Sequence, residues 1–284
     1  MTTALELLHA QPQTAVLRSG VASLDALLRG GFRAGVISEL CGEASAGKTQ
    51  LCLQLLLQCA LPPALGGLGA SACYVSTEGV GSVKRLHELA GVYARRFGSL
   101  ASRKRKRPTD SSEESEGDAN ASAFLDGIFV EQLYESDELL DLLQSRLPAL
   151  LEEQNTKLVV IDSIAALFRQ EATASVKEAS RRSRLMFHMA NCIRILSAQY
   201  GVVFVVSNQV TGNFAAAPAE ALQGSAFKPA LGLSWSNCVN QRLMVTRRPG
   251  STVRRVEVAF SPSCPPGGAS FEITREGVVS ADDH

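Results

Sequence analysis

The sequence predicts an α/β fold with a mostly parallel central sheet flanked by helices and an antiparallel edge formed by the C-terminal part of the chain. Strand-like apolar runs recur as far as residue 207, and helix-compatible segments separate them. These runs are continuously apolar, which is typical of parallel strands buried on both faces. After residue 240 the runs are joined by Pro- and Gly-containing turns, which favours antiparallel hairpins.

The predicted elements alternate along the chain. A helix is expected within "VASLDALLRGG" (21–31), because its apolar residues have helical spacing and Gly30-Gly31 ends the pattern. The buried strands are "GVISEL" (35–40), "ACYVST" (72–77), "GIFVEQ" (127–132), "KLVVID" (157–162) and "VVFVVS" (202–207). The antiparallel strands are "RLMVTRR" (242–248), "VRRVEVAF" (253–260) and "SFEITREGVV" (270–279).

The segment "LCLQLLLQCA" (51–60) predicts a helix that is buried beside the sheet. Its leucines and cysteines cover most of the circumference, and Gln50, Gln54 and Gln58 leave one narrow polar stripe. We therefore expect the loop in front of this helix to be rigid.

The composition favours one large intracellular domain. A chain of 284 residues can bury a substantial core, and Lys+Arg 28 balance Asp+Glu 28, so a nucleic-acid footprint has to be local. The seven cysteines include no C-x-x-C pair, which favours reduced thiols over disulfides or zinc. The N-terminus lacks a secretory signal and no apolar stretch is long enough for a membrane span, so we expect no membrane partner.

We expect residues 1–14 to form a tail and residues 15–284 to form one domain, with a disordered insertion at 99–122. The insertion joins a basic run to an acidic, serine-rich run without an apolar face. It is either a solvated surface insertion or a nuclear-import peptide, and the second alternative predicts a nuclear protein that can also reside in the cytoplasm. The import candidates are Arg103, Lys104, Arg105, Lys106 and Arg107.

The stretch "GEASAGKT" (42–49) matches the phosphate-binding pattern G-x-x-x-x-G-K-[ST], directly after a predicted strand and at the start of a helix. Glycines let backbone N–H groups turn inward, and these donors and the helix N-terminus bind anions. Lys48 is expected at the β- and γ-phosphates, and Thr49 at Mg²⁺. The predicted nucleotide-binding residues are Gly42, Glu43, Ala44, Ser45, Ala46, Gly47, Lys48, Thr49 and Gln50.

Polar residues end other predicted strands. Asp162 can hold the water shell of Mg²⁺, although an aspartate at a strand end is common. Glu78 is the candidate base that polarises the attacking water, and its alternative role is a carboxylate at a helix start. Asn208 and Gln209 follow the last parallel strand, where their amides could sense the γ-phosphate.

The ordered motifs resemble the ATPase core of RecA-superfamily recombinases and their eukaryotic paralogues over roughly residues 15–284. They are "GEASAGKTQ", "YVSTEG", "LVVIDSIAALFR", "VVFVVSNQV" and "LGLSWSNCVNQRL". The resemblance implies a RecA-like P-loop ATPase with ATP and Mg²⁺, in which Lys48, Glu78 and Gln209 are catalytic and Asp162 is the Walker B carboxylate. It also implies a mediator of homologous recombination repair of double-strand breaks and cross-links, supporting the strand-exchange recombinase and junction processing.

The resemblance places two mobile DNA loops near 170–184 and 211–229, for single-stranded or branched DNA. Arg181 and Arg184 could instead simply lie at the start of the following helix. The candidate phosphate contacts are Lys177, Arg181, Arg182, Arg184 and Lys228.

The chain also departs from the recombinase pattern. Few residues precede the core, no Phe-x-x-Ala hook stands before Phe32, and Phe260 replaces an aspartate that reaches a neighbouring ATP. We therefore expect an accessory subunit that pairs with another recombinase paralogue and has weak, DNA-stimulated ATPase activity. The alternative is a structural adaptor subunit that does not hydrolyse ATP.

Overall fold

The computed structural model describes Thr3, Glu6 and residues 14–79, 81–101, 121–169, 175–212 and 227–281. The strands are β1 Val16–Leu17, β2 Phe32–Arg33, β3 Ile37–Gly42, β4 Ser71–Ser76, β5 Ile128–Gln132, β6 Thr156–Asp162, β7 Val203–Asn208, β8 Val210–Gly212, β9 Phe227–Pro229, β10 Gln241–Arg247, β11 Val253–Phe260, β12 Gly268–Thr274 and β13 Gly277–Ser280. The α-helices are α1 Ala22–Leu27, α2 Lys48–Ala60, α3 Gly81–Ala101, α4 Ser136–Asp141, α5 Leu147–Glu153, α6 Val176–Tyr200 and α7 Gly232–Ser236. A π-helical turn, Leu142–Arg146, joins α4 to α5, and Pro63–Leu65 and Ile164–Phe168 are 3₁₀ turns.

The main sheet has nine strands in the order β13-β12-β11-β10-β3-β7-β6-β4-β5. The strands from β10 to β5 in this order are parallel to their neighbours, whereas β11, β12 and β13 pair antiparallel. The predicted fold class, with its antiparallel C-terminal edge, is confirmed.

Helices cover both faces of the central strands. In β6, Leu158 and Val160 face one hydrophobic core, which contains α2 and α3. Val159 and Ile161, the intervening residues, face a second core with α6. Successive side chains of a strand point to opposite faces, so a strand between two cores is apolar at every position, as the continuous runs predict.

Two of the three glutamines in the polar stripe of α2, Gln54 and Gln58, lie inside the protein. Gln54 donates to the carbonyls of Ser19 and Val278 at 3.0 Å each, and the Val278 N–H donates back to Gln54 Oε1 at 2.7 Å. Gln58 donates to the Leu65 carbonyl and accepts from the Tyr93 hydroxyl, each at 3.1 Å. These buried amides tie α2 to the N-terminal segment and to β13, because a buried amide needs a protein partner.

The predicted insertion at 99–122 falls largely outside the described residues. Residues 99–101 belong to the end of α3, and residues 121–125 are helical. The nuclear-import candidates at 103–107 and most of the N-terminal tail lie outside the described part of the chain. Within that part, no helix combines the length and apolarity needed to cross a membrane.

Candidate nucleotide-binding and catalytic site

The carboxyl ends of four neighbouring parallel strands bring the predicted residues to one edge of the sheet. Gly42 ends β3, Asn208 ends β7 and Asp162 ends β6. The fourth strand, β4, pairs with β6 so that Ser76 stands opposite Asp162, and Glu78 follows shortly after. This edge is where open α/β sheets bind ligands.

The loop between β3 and α2 has the backbone of a phosphate cradle. Gly47, the residue before α2, has a φ of 110°, a left-handed conformation that side chains other than glycine rarely adopt. A Cβ on Gly42 would stand 2.1 Å from the Val245 carbonyl oxygen, so β10 leaves no room for a side chain there. Glu43, Ala44 and Ser45 are exposed, whereas Ala46 is buried.

Lys48 crosses this loop. Its side chain is 8% exposed, and Nζ donates to the carbonyls of Gly42 at 2.7 Å and Glu43 at 2.8 Å. Burial lowers the pKa of Lys48, and the nearby charge of Asp162 opposes this shift. The ammonium group is therefore held against two carbonyl oxygens of the loop in which the sequence predicts a phosphate site.

Asp162 is held by two hydroxyl donors. Ser207 donates to Oδ1, and the Tyr74 hydroxyl donates to Oδ2 at 3.2 Å. Burial, and then the charge of Asp162, raise the pKa of Tyr74, so this hydroxyl keeps its proton. Thr49, at the start of α2, carries the hydroxyl that the sequence predicts as a second oxygen for the metal. This donor set fits Mg²⁺, which takes one or two protein oxygens and fills its octahedron with water and phosphate.

Glu78 and Gln209 are in contact. Gln209 Nε2 donates to Glu78 Oε1 at 3.0 Å, and Arg169 Nη2 forms an ion pair with the same oxygen at 2.6 Å. Ser163 Oγ lies 3.5 Å from this oxygen. Arg169 was not among the predicted site residues, although it ends the motif "LVVIDSIAALFR". The sequence around it does not indicate its partner, because Glu78 is distant along the chain.

Asn208 does not face the nucleotide site. Its amide is buried and donates to Glu39 Oε1 at 2.7 Å. Glu39 is fully buried, accepts from Trp235 Nε1 at 2.9 Å and forms an ion pair with Arg242. The idea that Asn208 senses the γ-phosphate is therefore wrong, because a buried carboxylate needs this donor. Most of the motif "LGLSWSNCVNQRL" lies around this buried cluster.

A cavity of about 580 Å³ opens on the other side of the phosphate loop, toward the antiparallel strands. Its walls are Ser45, Gly47, Lys48, Thr49, Gln50, Arg85, Arg254, Ile273, Thr274 and Arg275. Arg85 donates to Gln50 Oε1 at 3.1 Å and to the Thr274 carbonyl at 2.7 Å. The sequence motifs gave no sign of these three arginines, since α3, β11 and the turn after β12 are brought here only by folding.

The first predicted DNA loop, 170–184, is helical over most of its length. Helix α6 begins at Val176, with Ser175 and Glu178 forming a capping box, so residues 176–184 are not a loop. Residues 170–174 lie outside the described part of the chain. The loop prediction is wrong for 176–184, because the capping pattern S-x-x-E at 175–178 starts a helix there.

The cations on α6 have different surroundings. Lys177, Arg181 and Arg184 are exposed and share one face by their spacing, and Arg181 pairs with Asp137 at 3.2 Å. Arg182 instead lies over the Phe168 ring, 5.4 Å from its centroid. A phosphate backbone could reach the first three cations at once.

The second predicted DNA loop, 211–229, begins and ends in a two-stranded ribbon. Thr211 on β8 pairs with Lys228 on β9, and Lys228 is exposed. The Ala230 N–H donates to the Gln209 carbonyl at 2.9 Å, which closes the ribbon at its base. Residues 213–226 lie outside the described part of the chain. Gln209 therefore joins this ribbon to Glu78.

Comparisons with known proteins agree with this geometry. The family model described as Rad51 matches residues 11–100 and 113–281. The chain belongs to the Rad51 family. The RecA-superfamily resemblance and the RecA-like fold class are thus confirmed.

Relatives of this Rad51-family chain include DNA repair proteins. It is 30% identical to the DNA repair protein XRCC3 homolog of Arabidopsis thaliana, over 96% of each chain. It is 37% identical to DNA repair protein XRCC3 of Bos taurus, over 97% of this chain and 79% of the relative. DNA repair protein RAD51 homolog 1 of Arabidopsis thaliana is 31% identical, over 99% of this chain and 74% of the relative.

Proposed function

We propose that this protein is an ATP-binding recombinase paralogue that acts as a mediator in homologous recombination repair of double-strand breaks and cross-links. The observation that carries the proposal is the phosphate loop with Lys48 at the sheet edge that also holds Asp162, Glu78 and Gln209. The printed names of the XRCC3 and RAD51 relatives support the repair context.

In the proposed mechanism, loop residues 42–50 bind the phosphates, with Lys48 at the β- and γ-phosphates. Thr49 and Asp162 hold Mg²⁺, which neutralises charge on these phosphates when it is bound. Glu78 polarises the attacking water, and Gln209 reports the γ-phosphate to the β8–β9 ribbon.

Turnover in this mechanism is weak and DNA-stimulated. Glu78 Oε1 is already engaged by Arg169 and Gln209, so an attacking water competes with two donors for this oxygen. DNA that binds the ribbon shifts Gln209, because the Gln209 carbonyl accepts a hydrogen bond from Ala230 at the ribbon base.

Residues 15–284 form one ATPase domain in this proposal, preceded by a tail at 1–14. The partners are another recombinase paralogue subunit, the strand-exchange recombinase, and single-stranded or branched DNA. Contacts to DNA phosphates come from Lys177, Arg181, Arg184 and Lys228, which are exposed, and from Arg182. Residues 103–107 direct the protein to the nucleus, and a cytoplasmic pool is compatible with the same proposal.

Lys48→Ala tests the nucleotide site. We expect ATP binding, measured by titration with a fluorescent ATP analogue, to weaken by about tenfold or more, because charge-assisted hydrogen bonds are lost. Lys84→Ala is the matched control, since Lys84 is an exposed lysine at the start of α3. Wild-type affinity in the Lys48 variant would remove the basis of the proposal.

A structural adaptor that binds ATP without hydrolysing it is the second candidate, and the engaged state of Glu78 favours it. Glu78→Gln separates the two functions. The mediator proposal expects this variant to bind ATP, lose turnover and fail to restore repair in cells that lack the protein. Full restoration of repair without turnover would establish the adaptor instead.

A further inference from the structure

We propose that Arg254 and Arg275 are nucleotide ligands, brought by the C-terminal hairpins to the α-phosphate and ribose end of a nucleotide in the phosphate loop. This inference rests on the proposed ATP-binding function and extends it to the side of the loop that no sequence motif covers.

Arg254 lies directly on the phosphate loop. It stands on β11 opposite Arg247 of β10 and Phe271 of β12. Arg254 Cδ is 3.1 Å from the position that a Cβ on Gly47 would take. The aliphatic part of Arg254 is thus already in contact with the loop, and the residue lines the same cavity as Thr49.

The donors of Arg254 are only partly used. Nη1 donates to the Thr252 carbonyl at 2.6 Å, but Nε is buried and has no hydrogen-bond partner. Burial, and then the neighbouring charge of Arg247, lower the pKa of Arg254, while Glu272 opposes this shift. A buried N–H without an acceptor costs free energy, so Arg254 gains free energy if its side chain turns this N–H toward an anion in the cavity.

Arg275 adds a second free cation. Among the described residues, nothing forms a hydrogen bond or an ion pair with its guanidinium group. By contrast, Arg85 in the same cavity is held by Gln50, Thr274 and Glu88. Arg254 and Arg275 therefore remain available to a ligand, and Arg85 serves as a wall.

The position of these arginines selects the part of the nucleotide that they contact. On one side of β3 lie the strands β7, β6 and β4. Gln209, Asp162 and Glu78 stand at or just after the ends of these strands. Strands β10, β11 and β12 lie on the other side. Because the first group marks the γ-phosphate, the α-phosphate and ribose point toward the hairpins. The nucleoside is uncharged, so the anionic group that matches two free guanidiniums is the α-phosphate.

The test measures affinity for fluorescent ATP and ADP analogues with the purified full chain. In Arg254→Ala we expect both affinities to fall by the same factor, about tenfold, because both nucleotides carry the α-phosphate. Arg275→Ala should weaken both by a smaller common factor. Arg255→Ala is the matched control: Arg255 neighbours Arg254 on β11, is exposed and pairs with Glu257 at 2.8 Å.

Arg254→Lys distinguishes loss of the guanidinium group from a folding defect. It keeps an aliphatic chain over Gly47 and a positive charge, and it removes the guanidinium fork, so we expect partial recovery of both affinities. Thermal unfolding of each variant shows whether the fold is kept. Binding of a single-stranded oligonucleotide distinguishes a nucleotide phosphate from a DNA backbone phosphate.

Several results would overturn the inference. These are unchanged ATP and ADP affinities in Arg254→Ala and Arg275→Ala, a loss for ATP alone, or a loss confined to the oligonucleotide. If Lys48→Ala loses binding while both arginine variants bind normally, the proposed function stands and this inference fails. A wild-type chain that binds neither nucleotide overturns both.

Discussion

The charged groups on the two sides of the phosphate-loop strand β3 are satisfied to different degrees. On the β7–β6–β4 side, Asp162 and Glu78 each have at least two protein donors, and so does Glu39 on β3 itself. On the hairpin side, Arg254 keeps a buried N–H without a partner. On the first side, a ligand that binds Asp162 or Glu78 competes with their internal partners, and such an exchange of partners suits a conformational switch. The second side has free donors, which suits ligand binding.

The largest effect is expected at Glu39, the fully buried carboxylate of β3, because all of its partners are internal. Glu39→Ala leaves Arg242 as a buried cation without its carboxylate, so we expect a loss of about 3–5 kcal/mol in the free energy of unfolding. Urea unfolding measures this loss. Glu257→Ala is the control, since it breaks an exposed pair with Arg255 and should cost at most about 1 kcal/mol. Equal losses would show that burial of the pair is unimportant here.

An intermediate effect is expected at the ion pair between Arg169 and Glu78. Arg169→Ala removes the ion-pair partner of Glu78 Oε1 and leaves Gln209 as its donor, so basal ATP turnover should rise about two- to fivefold, the range that a half-exposed ion pair supports, while ATP affinity stays unchanged. Steady-state phosphate release and analogue titration measure the two quantities. Arg146→Ala breaks an exposed pair with Glu131 and serves as control. A fall in turnover would mean that Arg169 positions Glu78 for catalysis.

The smallest effect comes from the cation that lies between the two sides. Because the folded-state pKa of Lys48 is lowered, the unfolded chain binds more protons between that pKa and the ordinary value. Stability of the wild type relative to Lys48→Met should therefore rise with pH across this window. Thermal unfolding between about pH 8 and pH 10 measures the difference.

The control for that series is Lys84→Met, which removes an exposed lysine at the start of α3. A wild-type advantage over Lys48→Met that falls as the pH rises would contradict the assigned role of burial.

The meeting of Asp162, Glu78 and Gln209 at one edge of the sheet could be predicted in large part. Asp162 and Glu78 follow continuous apolar runs, and the carboxyl ends of parallel strands meet at one edge. The contact between Glu78 and Gln209 agrees with that logic. The capping pair of Ser175 and Glu178 is also a local sequence pattern, and it predicts that the first DNA loop ends before Val176.

Other features could not be predicted, because their partners are distant in sequence. The side chain of Asn208 turns to Glu39, on the neighbouring strand β3, instead of toward the phosphate loop. From the sequence, Gln54 belongs to a polar stripe of its helix. In the structure, the N-terminal segment and β13 cover it and accept its hydrogen bonds. In the sequence, Arg254 is one of several cations of an antiparallel strand, and only the packing of β11 against Gly47 brings it to the phosphate loop.

The sequence by itself determined the parallel sheet, the phosphate loop and the family, because these depend on periodicity and on short contiguous motifs. The tertiary structure alone decided which charges are satisfied, since ion pairs and buried amides form between strands and helices far apart along the chain. This is why Lys48 could be predicted as a phosphate ligand from a few neighbouring letters, whereas the contacts of Arg169 and Arg254 form only in the folded protein.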